Sequence, residues 1–315
     1  MIHNIHYNIT TPVNYEMLTQ IHILLTYTCN YECDHCFLYC SSEAKGTFTL
    51  DQIKTLIHEA HKIGTIEWFY FEGGEPFLFY PLLIESIKLA KNAGYKVGIV
   101  SNGFWATSSS NAELYIQSIE ALKVDELMVS NDSYHYGDEI DNFATVAVDT
   151  GESSSCVVYQ SAIDPPRVTD ERKSEYDKAM PIVDSDVMFR GRAADLLTPG
   201  LPTKPWNELQ ECPYEDLVNP TRVHIDAYGN VQICQGLNIG NCWSESLSKI
   251  VSEYEPSQNP ICSALNRGGP AQLIKEMGMK IDTEFVDECH ACYVVRKQLL
   301  EKYPIILGPP QVYGI

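Results

Sequence analysis

The sequence predicts an α/β protein built on a parallel sheet, followed by a small C-terminal extension of a β-hairpin and helices. Three observations predict it. From Gln20 onward, short apolar runs alternate with longer amphipathic stretches, the pattern of strands and helices wound into a parallel sheet. The chemically unusual residues stand just past those apolar runs, where the carboxyl ends of parallel strands present ligand sites in open sheets and barrels alike. After Ala194 the texture changes to LLTPGLPTKPWNELQ, rich in proline and turn residues, which reads as a linker.

Taken in order, the expected strands are IHILLTY, IEWFYFE, YKVGIVS, VDELMVS, SSCVVYQ and SDVMFRG. Helices are expected over LDQIKTLIHEAHKIG, introduced by Thr49 and Asp51 and closed by Gly64, and over FYPLLIESIKLAKNAG, closed by Gly94. Cys29 follows the first strand, Gly73-Gly74-Glu75 the second, Ser101-Asn102-Gly103 the third and Ser130-Asn131-Asp132 the fourth. Beyond the linker, RVHIDAYGNVQIC carries two short strands around Tyr228-Gly229-Asn230, a hairpin signal, and helices are expected at 244–253 and 290–303. The resulting organisation is a lead-in at 1–19, a core at 20–195, a linker at 196–211 and a C-terminal domain at 212–315.

Composition narrows the function. The 315 residues are enough to bury a substantial core. Acidic residues outnumber basic ones 42 to 22, a formal charge of −20 that would repel a phosphate backbone, so no nucleic-acid partner is expected. The start lacks a basic segment followed by an apolar one, and no apolar run approaches the ~18 residues of a membrane span, so a cytoplasmic protein without membrane contact is expected. Several of the eleven cysteines cluster at short spacings. In a reducing compartment that points to metal or redox chemistry.

The segment Cys29-Asn30-Tyr31-Glu32-Cys33-Asp34-His35-Cys36 puts three thiols on a loop leaving a strand. Thiolates are the soft ligands that iron–sulfur clusters require, and three of them leave one iron open. A structural zinc ion would want a fourth ligand, which His35 or Cys40 could supply. Gly73 and Gly74 let backbone approach a ligand closely, and Glu75 can accept a charge-assisted hydrogen bond from an ammonium.

The C-x-x-x-C-x-x-C spacing after the first strand, followed by Gly-Gly-Glu-Pro at the end of the second, resembles the radical S-adenosylmethionine (SAM) superfamily over roughly residues 20 to 195. The resemblance implies a partial (β/α)6 barrel with a [4Fe-4S] cluster at Cys29, Cys33 and Cys36. The open iron would be chelated by the amino and carboxylate groups of SAM, whose reductive cleavage gives a 5′-deoxyadenosyl radical. It further implies SAM contacts from Gly73, Gly74 and Glu75 to the methionyl amine, and from Ser101, Asn102 and Ser130 at the third and fourth strand ends, although each of these three alone reads as a loop cap. Arg190, on the last barrel strand, is expected to fork onto the SAM carboxylate, the other reading being a surface salt bridge. His35 is expected near the adenine. Asp132 and His135 are candidates for substrate contact or proton transfer, against an ordinary loop role. Cys156, on an inner strand, is either an inert buried thiol or a hydrogen-atom donor to a substrate radical.

The second cysteine set comprises Cys212 before the hairpin, Cys234 at its end, and Cys289 and Cys292 opening the last helix. It resembles the auxiliary-cluster domains of the SPASM and twitch groups of radical SAM enzymes, in the shorter single-cluster form. The resemblance implies a second [4Fe-4S] cluster that carries electrons, with structural zinc as the competing occupant. Cys242 and Cys262 are spare, and Cys242 could replace one proposed ligand. The tail PIILGPPQVYGI is expected to pack across the barrel mouth or an interface.

The expected activity is hydrogen-atom abstraction from a bound substrate, with an electron donor such as flavodoxin or ferredoxin. Enzymes with such extensions often epimerise, crosslink or oxidise ribosomally made peptides, which makes a peptide the first expected substrate. With about twenty residues before the first strand, no leader-peptide-binding domain is expected, which keeps a small-molecule metabolite open. The reading from another class is a non-enzymatic iron–sulfur or zinc protein, a redox carrier or binding module, which would leave Gly73-Gly74-Glu75 unexplained.

Overall fold

The computed structural model describes residues 18–137, 142–171 and 180–315, so residues 1–17 of the expected lead-in lie outside the described residues. The chain opens with β1 (Gln20–Thr26), α1 (Leu50–Ile63), β2 (Trp68–Gly73), α2 (Tyr80–Asn92), β3 (Lys96–Ser101), α3 (Ser109–Ala121) and β4 (Glu126–Ser130). A single-turn α4 (Ser133–Tyr136), α5 (Phe143–Gly151) and β5 (Val157–Ser161) complete this half. β1 to β5 lie side by side, in order and parallel.

Period-two burial explains the arrangement. Ile21, Ile23, Phe69, Phe71, Val97, Ile99, Leu127 and Val129 are all fully buried and pack with Ile53, Leu56, Leu83, Ile87, Ile116 and Ile119 of the covering helices. Each such side chain contributes on the order of 1.5–3 kcal/mol. The alternate residues, among them His22, Tyr70, Glu72, Met128 and Ser130, therefore occupy the opposite face. Thr49 and Gln52 form a reciprocal capping box on α1, and Gly64 closes it in the left-handed conformation.

The α/β class with a mainly parallel sheet is as the sequence predicts, but the sixth parallel strand is not SDVMFRG. After β5 come β6 (Arg167–Glu171) and β7 (Met180–Asp184), an antiparallel pair apart from the main sheet. Residues 185–191 are irregular, with Val187 and Phe189 buried in a small separate cluster, and the chain then turns into α6 (Arg192–Leu196). The stretch expected to be a linker contains a two-residue β8 (Lys204–Pro205).

The sixth parallel strand is β9 (Arg222–Asp226), which pairs with β1 from Gln20 opposite Arg222 to Leu24 opposite Asp226. β9 and β10 (Asn230–Cys234) form the expected hairpin, its turn held by the buried Asp226 carboxylate, which accepts from the Tyr228 and Asn230 backbone N–H groups at 2.9 and 3.0 Å. β11 (Leu237–Asn241) adds an antiparallel edge, giving the order β11-β10-β9-β1-β2-β3-β4-β5. The hairpin thus belongs to the same sheet as the core.

α7 (Leu247–Glu253), α8 (Pro260–Glu276), β12 (Glu284–Phe285, paired with β8) and α9 (Glu288–Leu299) follow. α7 and α9 fall where helices are expected, whereas α8 was not foreseen because its Gly268-Gly269-Pro270 kink reads as a turn. The tail folds back: Gln311 Nε2 donates to the Tyr39 carbonyl at 2.6 Å, and the buried Tyr313 hydroxyl to the Gly236 carbonyl at 2.8 Å. Among the described residues no helix is long and apolar enough to cross a membrane.

Candidate functional site

The exit of β1 runs directly into the thiol loop. Cys29 and Cys33 are 8% and 9% exposed and Cys36 is half-buried. The backbone N–H of Cys29 donates to the Ser41 carbonyl at 2.9 Å, and those of Gly74 and Glu75 to the Thr26 and Thr28 carbonyls at 2.7 and 3.0 Å. A Cβ on Gly73 would overlap the Thr26 carbonyl oxygen, and one on Gly74 the Thr28 carbonyl oxygen. The two glycines therefore let the exit of β2 lie against the backbone that aims Cys29.

Glu75 is fully buried. Its Oε1 accepts from the Phe77 N–H and the Ser101 hydroxyl, both at 3.0 Å, and its Oε2 from the Asn102 N–H at 2.7 Å. Burial pushes the carboxyl up to about 7 in spite of these donors. The carboxylate expected to receive an ammonium thus ties the exit of β2 to that of β3. Asn102 turns its amide towards the thiol loop, 3.7 Å from Cys29 Sγ and 2.9 Å from Asn30 Oδ1. Ser130 ends β4 half-buried, opposite Ser161 of β5.

His35, Asp132 and His135 come together beside the thiol loop. Asp132 caps α4 through the Tyr134 and His135 N–H groups, and its Oδ1 lies 2.8 Å from His135 Nδ1. His35 Nε2 is 3.9 Å from the same carboxylate, and the His35 ring stacks on Tyr134 at 4.6 Å between centroids. Burial pulls His35 down to about 4, so it is neutral at ordinary pH.

Sequence reasoning missed Arg192. Its guanidinium donates to the Cys33 and Cys40 carbonyls, both at 2.8 Å, and its backbone N–H to the Cys36 carbonyl at 2.9 Å. Gly191 before it has φ 61°, and a Cβ there would overlap the Phe37 backbone. No spacing in the sequence marks this contact. Several N–H groups also point at the sulfurs: Tyr31 N–H at Cys29 Sγ and Cys40 N–H at Cys36 Sγ, each at 3.4 Å. Burial holds Cys29 up at about 12, while a hydrogen bond from the Cys40 side chain brings Cys36 down to about 6. Three soft donors on one loop, with N–H groups aimed at two of the sulfurs, fit a thiolate-held iron–sulfur group.

Arg190 requires a correction. Its Nη1 lies 3.0 Å from Cys234 Sγ and 3.4 Å from Glu215 Oε1, and its Nη2 3.0 Å from Met188 Sδ. The guanidinium therefore faces the distal cysteines, because residues 185–191 are not the barrel strand that would have aimed it at SAM. Cys212, Cys234, Cys289 and Cys292 line one cavity together with Arg190 and Arg296. Arg296 is 1% exposed and donates to the Gln235 carbonyl at 3.0 Å. Cys242 and Cys262 are buried elsewhere and do not line that cavity.

Cys156 also falls away from the site. It immediately precedes β5, where Val157 pairs with Glu126 at the amino end of β4, so it sits at the opposite end of the strands from Cys29. It is 2% exposed, and burial raises its thiol to about 12. The inert reading is the one its placement supports.

The thiol loop at the exit of β1 and the Gly-Gly-Glu turn at the exit of β2 both fall within residues 23–137, which match the family model of the radical SAM superfamily. This segment is a radical SAM domain. Over 115 residues the chain is 34% identical to YydG of Bacillus subtilis (strain 168), a protein named for peptide biosynthesis, covering 36% of each chain. It is also 36% identical over 131 residues to an S-adenosylmethionine-dependent nucleotide dehydratase of Thermoplasmatales archaeon (strain ISO4-H5), covering 42% of this chain and 43% of that one. The matches thus span less than half the length of these relatives. The crystal structure of BtrN in complex with AdoMet and 2-DOIA shares the fold, with a TM-score of 0.55 at 16% identity over 86% of this chain and 98% of BtrN.

Proposed function

We propose that the chain is a radical SAM enzyme in which Cys29, Cys33 and Cys36 hold the catalytic [4Fe-4S] cluster and the protein abstracts a hydrogen atom from a bound substrate. The observation that carries this reading is the thiol loop at the carboxyl end of β1, locked by the Gly73-Gly74 backbone and by Arg192. When bound, the cluster and SAM supply a 5′-deoxyadenosyl radical. The chain's own part is to hold three thiolates, aim the Asn102 amide at Cys29, and fix the ends of β2 and β3 through Glu75. The paired Asp132 and His135 stand beside the loop, where His135 Nδ1 can hold or release a proton against the carboxylate.

On this reading residues 20–195 supply the catalytic part of the chain, 196–211 the connection and 212–315 a SPASM/twitch-like auxiliary part, whose β9 to β11 extend the same sheet beyond β1. Cys212, Cys234, Cys289 and Cys292 hold a second [4Fe-4S] cluster on this reading, supported by their shared cavity and by the two buried guanidinium groups beside it, which suit an anionic occupant. A peptide is the first substrate class, in keeping with the name of YydG. A nucleotide or other small molecule is the second, in keeping with the dehydratase. A flavodoxin or ferredoxin supplies the electron.

The test is anaerobic reconstitution followed by SAM and dithionite. The wild type should release 5′-deoxyadenosine and a triple Cys29→Ala, Cys33→Ala, Cys36→Ala variant should release none. Equal release from both proteins, or none from a wild type carrying its iron, would overturn the assignment.

A further inference from the structure

A second group of ligand-type side chains contains no cysteine and lies on the face of the sheet opposite the one that packs on α1, α2 and α3. His22 of β1, Glu72 of β2 and His224 of β9 each offer one nitrogen or oxygen atom, all within 4.8 Å of one another. Their side chains are 13%, 17% and 7% exposed. Register explains the meeting: His22 stands directly opposite His224, and Glu72 stands opposite Leu24, two residues beyond the Tyr70 that pairs with His22, so its carboxylate can reach both rings from the same face.

We propose that His22, Glu72 and His224 bind a first-row divalent transition-metal ion, as a two-histidine, one-carboxylate site on this face of the sheet. Glu72 Oε1 is 3.2 Å from His22 Nδ1 and 3.4 Å from His224 Nε2. Ligand atoms about 2.1 Å from a shared ion, at tetrahedral or octahedral angles, stand roughly 3.0–3.4 Å apart. Both carboxylate–imidazole spacings fall in that range, and the two ring nitrogens lie within 4.8 Å of each other, so a small closing movement of the rings would complete the sphere.

Polar satisfaction points the same way. Gln20 Oε1 lies 3.2 Å from His22 Nε2, a contact that favours the ring proton on Nε2 and turns the Nδ1 lone pair towards the Glu72 carboxylate. A lone pair facing a carboxylate oxygen needs a cation between them. His22 Nδ1 is buried and makes no hydrogen bond despite its distance to Glu72, and His224 Nδ1 is buried without a partner. The His22 ring is held in place by stacking on Tyr70 at 4.6 Å. Three protein ligands leave coordination positions open to an oxygen or nitrogen donor of water or of a small ligand. The competing arrangement is a metal-free imidazolium–carboxylate pair.

The site contains no thiol and none of the residues given to SAM chemistry, so its test stands apart from 5′-deoxyadenosine release. Mn2+ is titrated into the cluster-loaded, oxidised protein, and the free six-line EPR signal is followed, with Zn2+ as competitor. One Mn2+ per chain should leave the free signal and return when Zn2+ is added. Pulsed EPR should show nitrogen couplings from two imidazoles. Glu72→Gln should weaken binding by about tenfold or more, and His22→Gln should reduce the couplings to one imidazole, with iron content and far-ultraviolet circular dichroism unchanged. An undiminished free signal, equal binding by both variants, or bound Mn2+ without imidazole couplings would each overturn the proposal. Should a variant fail to fold, the couplings of the wild type alone decide between the two arrangements.

Discussion

Replacing Glu75 with glutamine tests whether this carboxylate is a structural tie. The group accepts three hydrogen bonds in a fully buried position: two on Oε1, from Phe77 N–H and the Ser101 hydroxyl, and one on Oε2, from Asn102 N–H. An amide has one acceptor oxygen. If its nitrogen takes the Oε2 position it faces the Asn102 N–H, and if it takes the Oε1 position it faces the Phe77 N–H. Ser101 cannot relieve the second case, because its oxygen already accepts from Gly103 N–H at 3.1 Å and Trp105 Nε1–H at 3.0 Å. Either orientation strands at least one buried donor, at a cost of about 1–3 kcal/mol. With a urea slope of about 3 kcal/mol/M, the unfolding midpoint should fall by roughly 0.3–1 M. Glu75→Ala, which strands all three donors, should cost roughly two to three times as much. The assay is urea unfolding of the SAM-free protein followed by tryptophan fluorescence. A Glu75→Gln midpoint equal to that of the wild type would refute the structural role.

Arg192→Lys should lower retained iron per chain at unchanged helix content, because one ammonium cannot span the Cys33 and Cys40 carbonyls as the guanidinium does, and the lost charged hydrogen bond costs about 1.5–3 kcal/mol. Iron content and urea midpoint equal to wild type would refute the clamp. Glu59 joins α1 to α7, accepting from Ser248 Oγ at 2.6 Å, Ser248 N–H at 3.1 Å and Lys62 Nζ at 2.6 Å. Burial alone would raise this carboxyl, but the donors outweigh it and hold the group at about 2, below the ordinary 4.5. A carboxyl depressed in the folded state contributes stability that is present above the ordinary value and is lost as pH falls through that window. With Lys62 half-exposed, the contribution is about 1 kcal/mol. Glu59→Gln should therefore lower the urea midpoint at pH 7, and the gap should narrow below about pH 4.5 and close towards pH 2. A gap independent of pH would refute the assignment.

The first five strands were legible because one face of each packs on helices, so the period of two stands out in residues such as Ile21, Ile23, Phe69 and Phe71. Local spacing likewise gathered Cys29, Cys33 and Cys36, and it grouped the four distal thiols that prove to share a cavity. What failed was long-range. SDVMFRG alternates like a strand, yet Gly191 takes a left-handed turn to reach the Phe37 backbone, and the parallel partner of β1 comes instead from RVHID, far along the chain. The same turn separates two arginines that the sequence cannot tell apart: Arg190 faces the distal thiols and Arg192 the first thiol loop. His22, Glu72 and His224 share no spacing, because three strands from distant parts of the chain bring them together.

The pairing of β9 with β1 has a consequence for synthesis. Thr19, just before β1, hydrogen-bonds to Thr221, just before β9, 202 residues further along the chain. Until that second segment leaves the ribosome, at about 5–20 residues per second, one margin of β1 stays unpaired for roughly 10–40 s. An open strand margin of this kind templates association with other chains. A nascent chain that stalls anywhere between residues 30 and 220 would therefore present β1 as a sticky edge, and a fragment ending after α6 would carry the same liability permanently.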